Sequence, residues 1–427
     1  MSDATSLLLD LPGFRVVSCE QVAPDVRRVV VMQAADEHAC PRCGVLVGGR
    51  PFDVRESRIK DLPMGHRPLE VVWRKRRYRC REPQCRQRVF TERSEQVPLR
   101  HRLTARLRAK LERAASGSAR ALADVASEYG VSWWSVHRAL ERAAAARAKT
   151  GLPPVRTLGL DETRARSLRW SWEDGTGWRL SNPWMTSFVD LDLGRPGWLL
   201  GLVPGRSAAA VKSWLAAQPP SWRDGIEVVA LDPSAPFAAA IRRLLPQATL
   251  VVDHWHLVRL ANQAVTEVRQ RVAREQLGRR GRKPDPAWAH RRLLLAAGDR
   301  LSPRGLARLT HVLAVDDPTN EIGAAWGVKE RLRQLLAAPT AHDARQRLFR
   351  FYDAVLVAEM PETTRLAETV QTWWPAIEAF LRLRVTNART EGTNRVIKQL
   401  KRVGCGYRNQ GNYERRIVLH VAAKSAA

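Results

Sequence analysis

The sequence predicts an α/β domain on a mixed sheet, interrupted by a large all-helical insertion and preceded by two small modules, a four-cysteine ribbon and a tightly turned helix pair. Three observations lead there. Short apolar runs alternate with amphipathic helical stretches between about residues 155 and 252. Helical periodicity then continues from Arg274 to Arg384, and two close cysteine pairs stand near the N-terminus.

The first module spans residues 1–95. Cys40-Pro41-Arg42-Cys43 and Cys80-Arg81-Glu82-Pro83-Gln84-Cys85 are two knuckles whose four thiolates suit one tetrahedral structural Zn²⁺. Val71-Val72-Trp73 and Tyr78 mark strands leading into the second knuckle. Cys19 and Cys405 have no such partner, and six cysteines in a chain this long do not make a disulfide framework.

Residues 96–149 are helical. Leu122, Val125, Ala126 and Tyr129 share one face before Gly130, and Ser132 offers an N-cap to a second helix. In that helix Trp133, Val136 and Leu140 are expected to pack inward, leaving Trp134, Ser135, Arg138 and Arg142 outward. A tight Gly-containing turn before a helix with Ser and Arg on its free face reads as a helix-turn-helix whose second helix enters a DNA major groove. A plain αα-hairpin would have the same backbone.

After a Gly- and Pro-containing linker at Thr150–Pro154, residues 150–273 read as strand, strand, strand, helix, strand, helix, strand, the order of a ribonuclease H-like fold. Two of its apolar strands end in acids, Arg156–Asp161 and Ile226–Asp232. A carboxylate at a strand's C-terminal end faces the crevice where open α/β sheets bind ligands. Asp253 and His256 follow the last strand; with His254 and His256 two apart, a separate metal site is poorly spaced, and Asp253 and His256 are expected to support the carboxylates from behind.

Residues 274–385 form the helical insertion, punctuated at Gly278–Pro286, Gly298–Pro303, Asp316–Asn320, Pro339 and Pro361. Its Trp326, Trp373 and Trp374 are expected in core packing rather than against bases. Residues 386–427 return to the α/β domain with a helix that opens at Glu391. At helical pitch Asn394, Arg395, Lys398 and Arg402 lie within about 60° of Glu391, and Val396, Ile397, Leu400 and Val403 occupy the other side. An acid among cations can be a simple ion pair, but a divalent metal held beside a phosphate backbone needs the same neighbourhood.

Composition narrows the partner. The 427 residues suffice for two to four domains, and a net charge of +28 calls for a polyanion, of which nucleic acid is the expected one. No apolar run is long enough to span a bilayer, so no membrane partner is expected and the cytoplasm is the expected location.

Several motifs in fixed order carry a family resemblance: Cys-Pro-x-Cys-Gly at 40–44, Arg-Arg-Tyr-Arg-Cys at 76–80, Gly-Val-Ser-Trp at 130–133, Gly-Leu-Asp-Glu at 159–162, Leu-Asp-Pro-Ser at 231–234, Asp-x-x-His at 253–256, Asn-Ala-Arg-Thr-Glu-Gly at 387–392 and Gly-Tyr-Arg-Asn at 406–409. Over nearly its whole length the chain resembles insertion-sequence transposases of the ISL-three type, DDE enzymes related to the Mutator-like group. The resemblance implies Asp161, Asp232 and Glu391 as the acidic triad holding two Mg²⁺ or Mn²⁺ ions. It also implies double-stranded DNA as partner, both transposon ends and target, a homodimer or higher oligomer on that DNA, and a nucleoid-associated prokaryotic protein. The polar stretch from Glu173 to Leu180 departs from the family pattern. Two other classes share parts of this layout: a zinc-containing DNA-binding regulator with an inert ribonuclease H-like domain, and a junction or RNA-hybrid nuclease.

Overall fold

A computed structural model describes residues 4–24, 26–64, 69–168, 170–180, 182–195 and 197–425. The chain forms two compact units. One comprises Met1–Gly151 with Gln399–Ala427, the other Leu152–Lys398.

The first unit opens with a short helix α1 (Ala4–Leu9) and strands β1 (Phe14–Ala23), β2 (Val26–Gln33), β3 (Glu37–Ala39), β4 (Leu46–Gly48), β5 (Asp53–Ile59), β6 (Leu69–Arg79) and β7 (Val89–Thr91). The main sheet runs β1-β2-β6-β5 with β7 added to β6, and β3 pairs with β4 as a separate ribbon. Alternating β-branched and aromatic residues let β2 and β6 bury Val29, Val31, Val71 and Trp73 on one side. The polar end of this core is closed by Glu92, fully buried, which accepts from Trp73 Nε1 at 2.8 Å and from Arg76 Nε at 2.8 Å. A buried ion pair of this kind is tolerated because its remaining donors are used: Arg76 Nη2 also donates to the carbonyls of Gln33 and Ala35.

Helices α2 (Ala105–Gly117), α3 (Leu122–Glu128) and α4 (Trp133–Ala148) follow. Thr104 caps α2 by accepting from the Leu107 amide, and Ser132 caps α4 by accepting from the Ser135 amide. Between α3 and α4 the chain turns through Gly130 at φ +58°, a left-handed conformation that favours glycine. The helix that closes the chain packs here too, its Leu419 joining Leu107, Val125, Val136 and Leu140 in one core.

The second unit holds β8 (Thr157–Arg164), β9 (Trp170–Glu173), β10 (Gly177–Leu180), β11 (Trp184–Asp190), β12 (Leu199–Pro204), α5 (Ala208–Ala216), α6 (Pro220–Asp224), β13 (Val228–Leu231), α7 (Ala235–Leu244) and β14 (Thr249–Val252). Its sheet has the order β12-β11-β8-β13-β14. The β11–β12 and β11–β8 pairs are antiparallel, while β8–β13 and β13–β14 are parallel. β13 and β14, near-continuous apolar runs, are the buried strands such a parallel pair requires. The polar stretch after β8 is a two-stranded hairpin, β9–β10, with Trp172 against Trp178.

Seven helices follow: α8 (His254–Leu277), α9 (Pro286–Ala289), α10 (Arg291–Leu295), α11 (Pro303–Asp316), α12 (Glu321–Leu336), α13 (Ala341–Ala358) and α14 (Pro361–Leu383). Prolines 286, 303 and 361 sit at their first turns and Gly278 ends α8 at φ +65°, as the sequence punctuation anticipates. Trp373 is buried in the core shared by the sheet and α12–α14, and Trp326 packs against a smaller cluster of Val265, Leu294, Leu309 and Ile322. α15 (Ala388–Val403) and α16 (Gln410–Ser425) end the chain, with the division between units falling inside α15. No described helix is long and apolar enough to cross a membrane.

One strand differs from expectation. β8 does not end at Asp161 but continues to Arg164, because β11 pairs with it as far as Arg164↔Trp184. Its parallel neighbour stops earlier, with Ala230↔Gly159 the last pair, so Asp161 sits where one edge of β8 becomes free.

Candidate functional site

Two groups of side chains carry chemistry, one in each unit. In the first unit the sulfurs of Cys40, Cys43, Cys80 and Cys85 all lie within 4.8 Å of one another. Cys40 and Cys85 are 3.9 Å apart and Cys43 and Cys80 3.5 Å. Four ligands about 2.3 Å from a tetrahedral zinc stand roughly 3.8 Å apart, so the cluster fits that ion. Burial pushes the Cys40 thiol up, but the amides of Cys43 and Arg42 and the adjacent thiols outweigh it and bring it to about 6. Cys85 is pushed up by burial. Sulfurs this crowded cannot all ionise together without a cation, which is the chemistry of a structural zinc site.

On the second module Trp134 is 61% exposed, and Arg138 and Arg142 are exposed beside it with Ser135 partly buried. Trp133 is a correction: it is exposed rather than packed inward, because α4 already fills its core face with Val136, Ala139 and Leu140 and leaves the first turn free. Its ring instead lies edge-on to Trp134 and tilted over His137. Arg142 bears on Arg108 and both bear on His101, lowering the proton affinity of those two groups beyond the effect of burial alone. The C-terminal helix supports this module. Arg416 Nη2 donates to the carbonyls of Ser118 and Arg120, each at 2.9 Å.

In the second unit, the register that pairs Ala230 with Gly159 carries Asp232, the residue after β13, toward Asp161, near enough for its charge to bear on that carboxyl. His256, in the first turn of α8, reaches back with Nε2 2.9 Å from Asp232 Oδ1. Asp253 is buried and caps α8 by accepting from the Trp255 amide, while His254 turns away and stacks on Phe380. Thus Asp161, Asp232 and His256 come together, and Asp253 holds the helix that delivers His256.

α15 docks on β8 beside them through a polar stripe. Asn387 Nδ2 donates to the Leu160 carbonyl at 2.8 Å, and Asn394 Nδ2 donates to Asp161 Oδ2 at 2.7 Å. Ser187 on β11 donates to Asn394 Oδ1 at 3.1 Å, which fixes the amide's orientation. The close approach depends on Gly159: a Cβ there would stand 2.3 Å from Thr390 Oγ1 and 2.8 Å from Asn387 Oδ1. Asn394, expected to face DNA, is buried and serves Asp161, because it lies on the packed side of α15 with Ile397 and Leu400. Asn387 and Thr390 went unread as contacts in the sequence. Their spacing with Asn394, i, i+3 and i+7, is the signal that could have revealed a buried polar stripe.

Glu391 is not gathered into the acid cluster. Its side chain is 48% exposed and pairs with Arg395 at 2.8 Å, one turn along α15. Among the described residues the four cysteines are the only set of three or more ligand groups within metal-sharing distance. Arg395 and Lys398 are exposed on the same helix, as is Arg402.

The electrostatics set the two acids apart. Burial, then the adjacent Asp232, push the Asp161 carboxyl from 3.8 up to about 7, against the Glu162 amide, Asn394 and His256, which favour its ionised form. Burial works against the charged His256 ring, but Asp232 outweighs it and raises its proton affinity. Asp232 Oδ1 is buried and faces His256 Nε2 at 2.9 Å. A pair of neighbouring carboxylates, one half-protonated near neutrality and the other set against the His256 ring, is short of positive charge. Oxygen ligands of this kind suit a hard divalent cation.

Comparison with known proteins decides the family. A family model described as a transposase of the DDE ISL3 type matches residues 174–417. The chain belongs to the ISL3 transposase family. A model for the zinc finger of the transposases of IS204, IS1001, IS1096 and IS1165 matches residues 36–85, spanning all four clustered cysteines, and one for the helix-turn-helix domain of the ISL3 family matches residues 92–144. Asp232 and Glu391 fall inside the ISL3 transposase match and Asp161 precedes it. The transposase for insertion sequence element IS1001 of Bordetella parapertussis is 27% identical over 216 residues, 50% of this chain and 52% of the relative. The chain thus spans about half the length of that curated relative. A solved Drosophila P element transposase strand transfer complex is similar at 9% identity and a TM-score of 0.40, over 70% of this chain and 86% of that chain.

Proposed function

We propose that this ISL3-family protein is a DDE transposase that binds the terminal inverted repeats of an insertion sequence and catalyses metal-dependent strand cleavage and strand transfer. The observation that carries the reading is the Asp161–Asp232 pair at the edge where β13 stops and β8 continues, one acid pushed up to about 7 and the other set against His256. The sheet order β12-β11-β8-β13-β14, with its antiparallel and parallel halves, supports a ribonuclease H-like fold. On this reading the chain divides into a zinc ribbon at 1–95, a helix-turn-helix domain at 96–149, the catalytic domain at 150–273 and from 386 to the middle of α15, and an all-helical insertion at 274–385; the rest of 386–427, expected in the catalytic domain, packs with the helix-turn-helix instead.

Asp161, Asp232 and Glu391 would hold the metal ions, two Mg²⁺ or Mn²⁺, which when bound supply Lewis-acid activation and neutralise charge on the phosphoryl group. Asn394 and the Glu162 amide orient the Asp161 carboxylate through one oxygen each, and His256 positions Asp232. Glu391, one helical turn from Asn394, would join them by releasing Arg395, which with Lys398 and Arg402 would then be free to meet DNA phosphates. Trp134, Ser135, Arg138 and Arg142 read the transposon end in the major groove. Double-stranded DNA, both ends and target, is the partner, bound by a homodimer or higher oligomer. Phosphoryl transfer of this type rests on positioning and charge more than on proton transfer, so the acids carry the chemistry without a protein nucleophile.

The Glu391–Arg395 pair also favours a second reading, a zinc-containing DNA-binding regulator whose α/β domain is inert, since a structural ion pair needs no metal. End-labelled DNA carrying the borders of the element separates the two. Asp161→Asn, Asp232→Asn and Glu391→Gln are each expected to keep end binding and to lose at least ~10²-fold in Mg²⁺-dependent nicking. Undiminished nicking by the triple variant refutes the transposase reading, and absence of nicking by the wild-type chain on its own element ends favours the regulator.

A further inference from the structure

A cavity of about 390 Å³ lies among α8, α9 and α10, lined by Thr266, Arg269, Gln270, Trp288, Arg291 and Arg292 together with apolar side chains. That size falls within the roughly 300–1,000 Å³ of small-ligand sites. Its unusual member is Arg269. The residue is 5% exposed, lines the cavity, and keeps a buried Nη1 with no hydrogen-bond partner. No carboxylate pairs with it among the described residues. The other deeply buried cation of this helical region behaves differently: Lys329 donates to the carbonyls of Leu294 and Ala296 and pairs with Glu330. A buried, uncompensated guanidinium is costly, and a second cation beside it makes the position worse. Burial and then Arg291 both lower its proton affinity, and nothing opposes them.

We propose that this cavity is a binding site for a phosphate group, with Arg269 at its base and Arg292 at its exposed rim. A guanidinium fork matches a phosphate's oxygens and gains from exclusion of water. Arg291 is held in place by its own bond from Nη1 to the Trp288 carbonyl and lies over the Trp288 ring, 4.0 Å from its centroid, so the site is largely preformed. The phosphate arrives either free, on a small molecule, or within a nucleic-acid backbone. The site is separate from the acids of Asp161 and Asp232 and does not rest on the transposase reading.

The test is the thermal midpoint of the full-length protein as chloride is exchanged for inorganic phosphate, or for a nucleoside monophosphate, at constant ionic strength. The wild type is expected to gain several degrees. Arg269→Met is expected to lose that gain while melting, without phosphate, no lower than the wild type, because an unpaired buried charge has been removed. Arg292→Gln, at the surface, reduces the gain and leaves the phosphate-free midpoint alone. A phosphate carried by DNA shows itself in a second arm: Arg269→Met lowers the log–log salt slope for a duplex by about one. A gain of equal size in all three proteins overturns the proposal, and so does the lack of any effect of Arg269→Met in both arms.

Discussion

Asp161 is the residue on which most of the proposed chemistry turns, and its environment makes a prediction about stability. In the unfolded chain the carboxyl ionises near 3.8, whereas burial and then Asp232 hold it to about 7 when folded. Between those values the unfolded chain has already lost a proton that the folded chain keeps, so stability falls as pH rises from about 4 to 7 and stays reduced above. Asp161→Asn removes that loss. In metal-free buffer the variant is expected to melt several degrees above the wild type at pH 8 and to converge with it near pH 4, as read by calorimetry across that range. A variant that melts below the wild type at pH 8 contradicts this account of the site. Residues shaped for function often cost a fold stability, and at Asp161 the cost would come from burial and the adjacent Asp232.

At the scale of elements, the contact of α15 with β8 delivers Asn394 to Asp161 and places Glu391 within one turn of it. Gly159 permits that contact, since a Cβ would overlap Thr390, Asn387 and Leu191. Gly159→Val is expected to displace α15, to cost about 2–4 kcal/mol in urea unfolding, and to lower strand cleavage while leaving end binding to the first unit unchanged. Zinc is the second element-scale device. A strong chelator, or Cys43→Ser, is expected to unfold the ribbon of β3, β4 and the two knuckles and to release one equivalent of Zn²⁺, measured by a chromogenic zinc dye.

Elements were legible in the sequence where local chemistry decides them. Ser132 caps its helix, prolines open α9, α11 and α14, and apolar runs with acidic ends marked β8 and β13. What escaped was set by partners distant in the chain. Polar Asp161–Arg164 resembles a strand's end, yet β11 pairs with it and extends the strand. Asn394 and Glu391 lie about 60° apart on one helix, and only the presence of β8 decides which of them turns inward.

For the whole molecule, the excess charge of +28 and the exposed Arg138, Arg142, Arg395 and Lys398 fit the proposed binding of a polyanion on which acids of the same chain would act. On the proposed reading a divalent cation would offset the repulsion between Asp161 and Asp232, and the cation and the DNA are expected to bring Glu391 to them. The central claim is that Asp161 and Asp232 share such a cation. Isothermal titration of Mn²⁺ into the full-length, zinc-loaded protein at pH 7.5 addresses it most directly. The wild type is expected to bind, more weakly at pH 6 where Asp161 is largely protonated, and Asp161→Asn and Asp232→Asn are each expected to lose at least ~10-fold in affinity. Equal Mn²⁺ binding by the wild type and both variants, or none by the wild type, would contradict it.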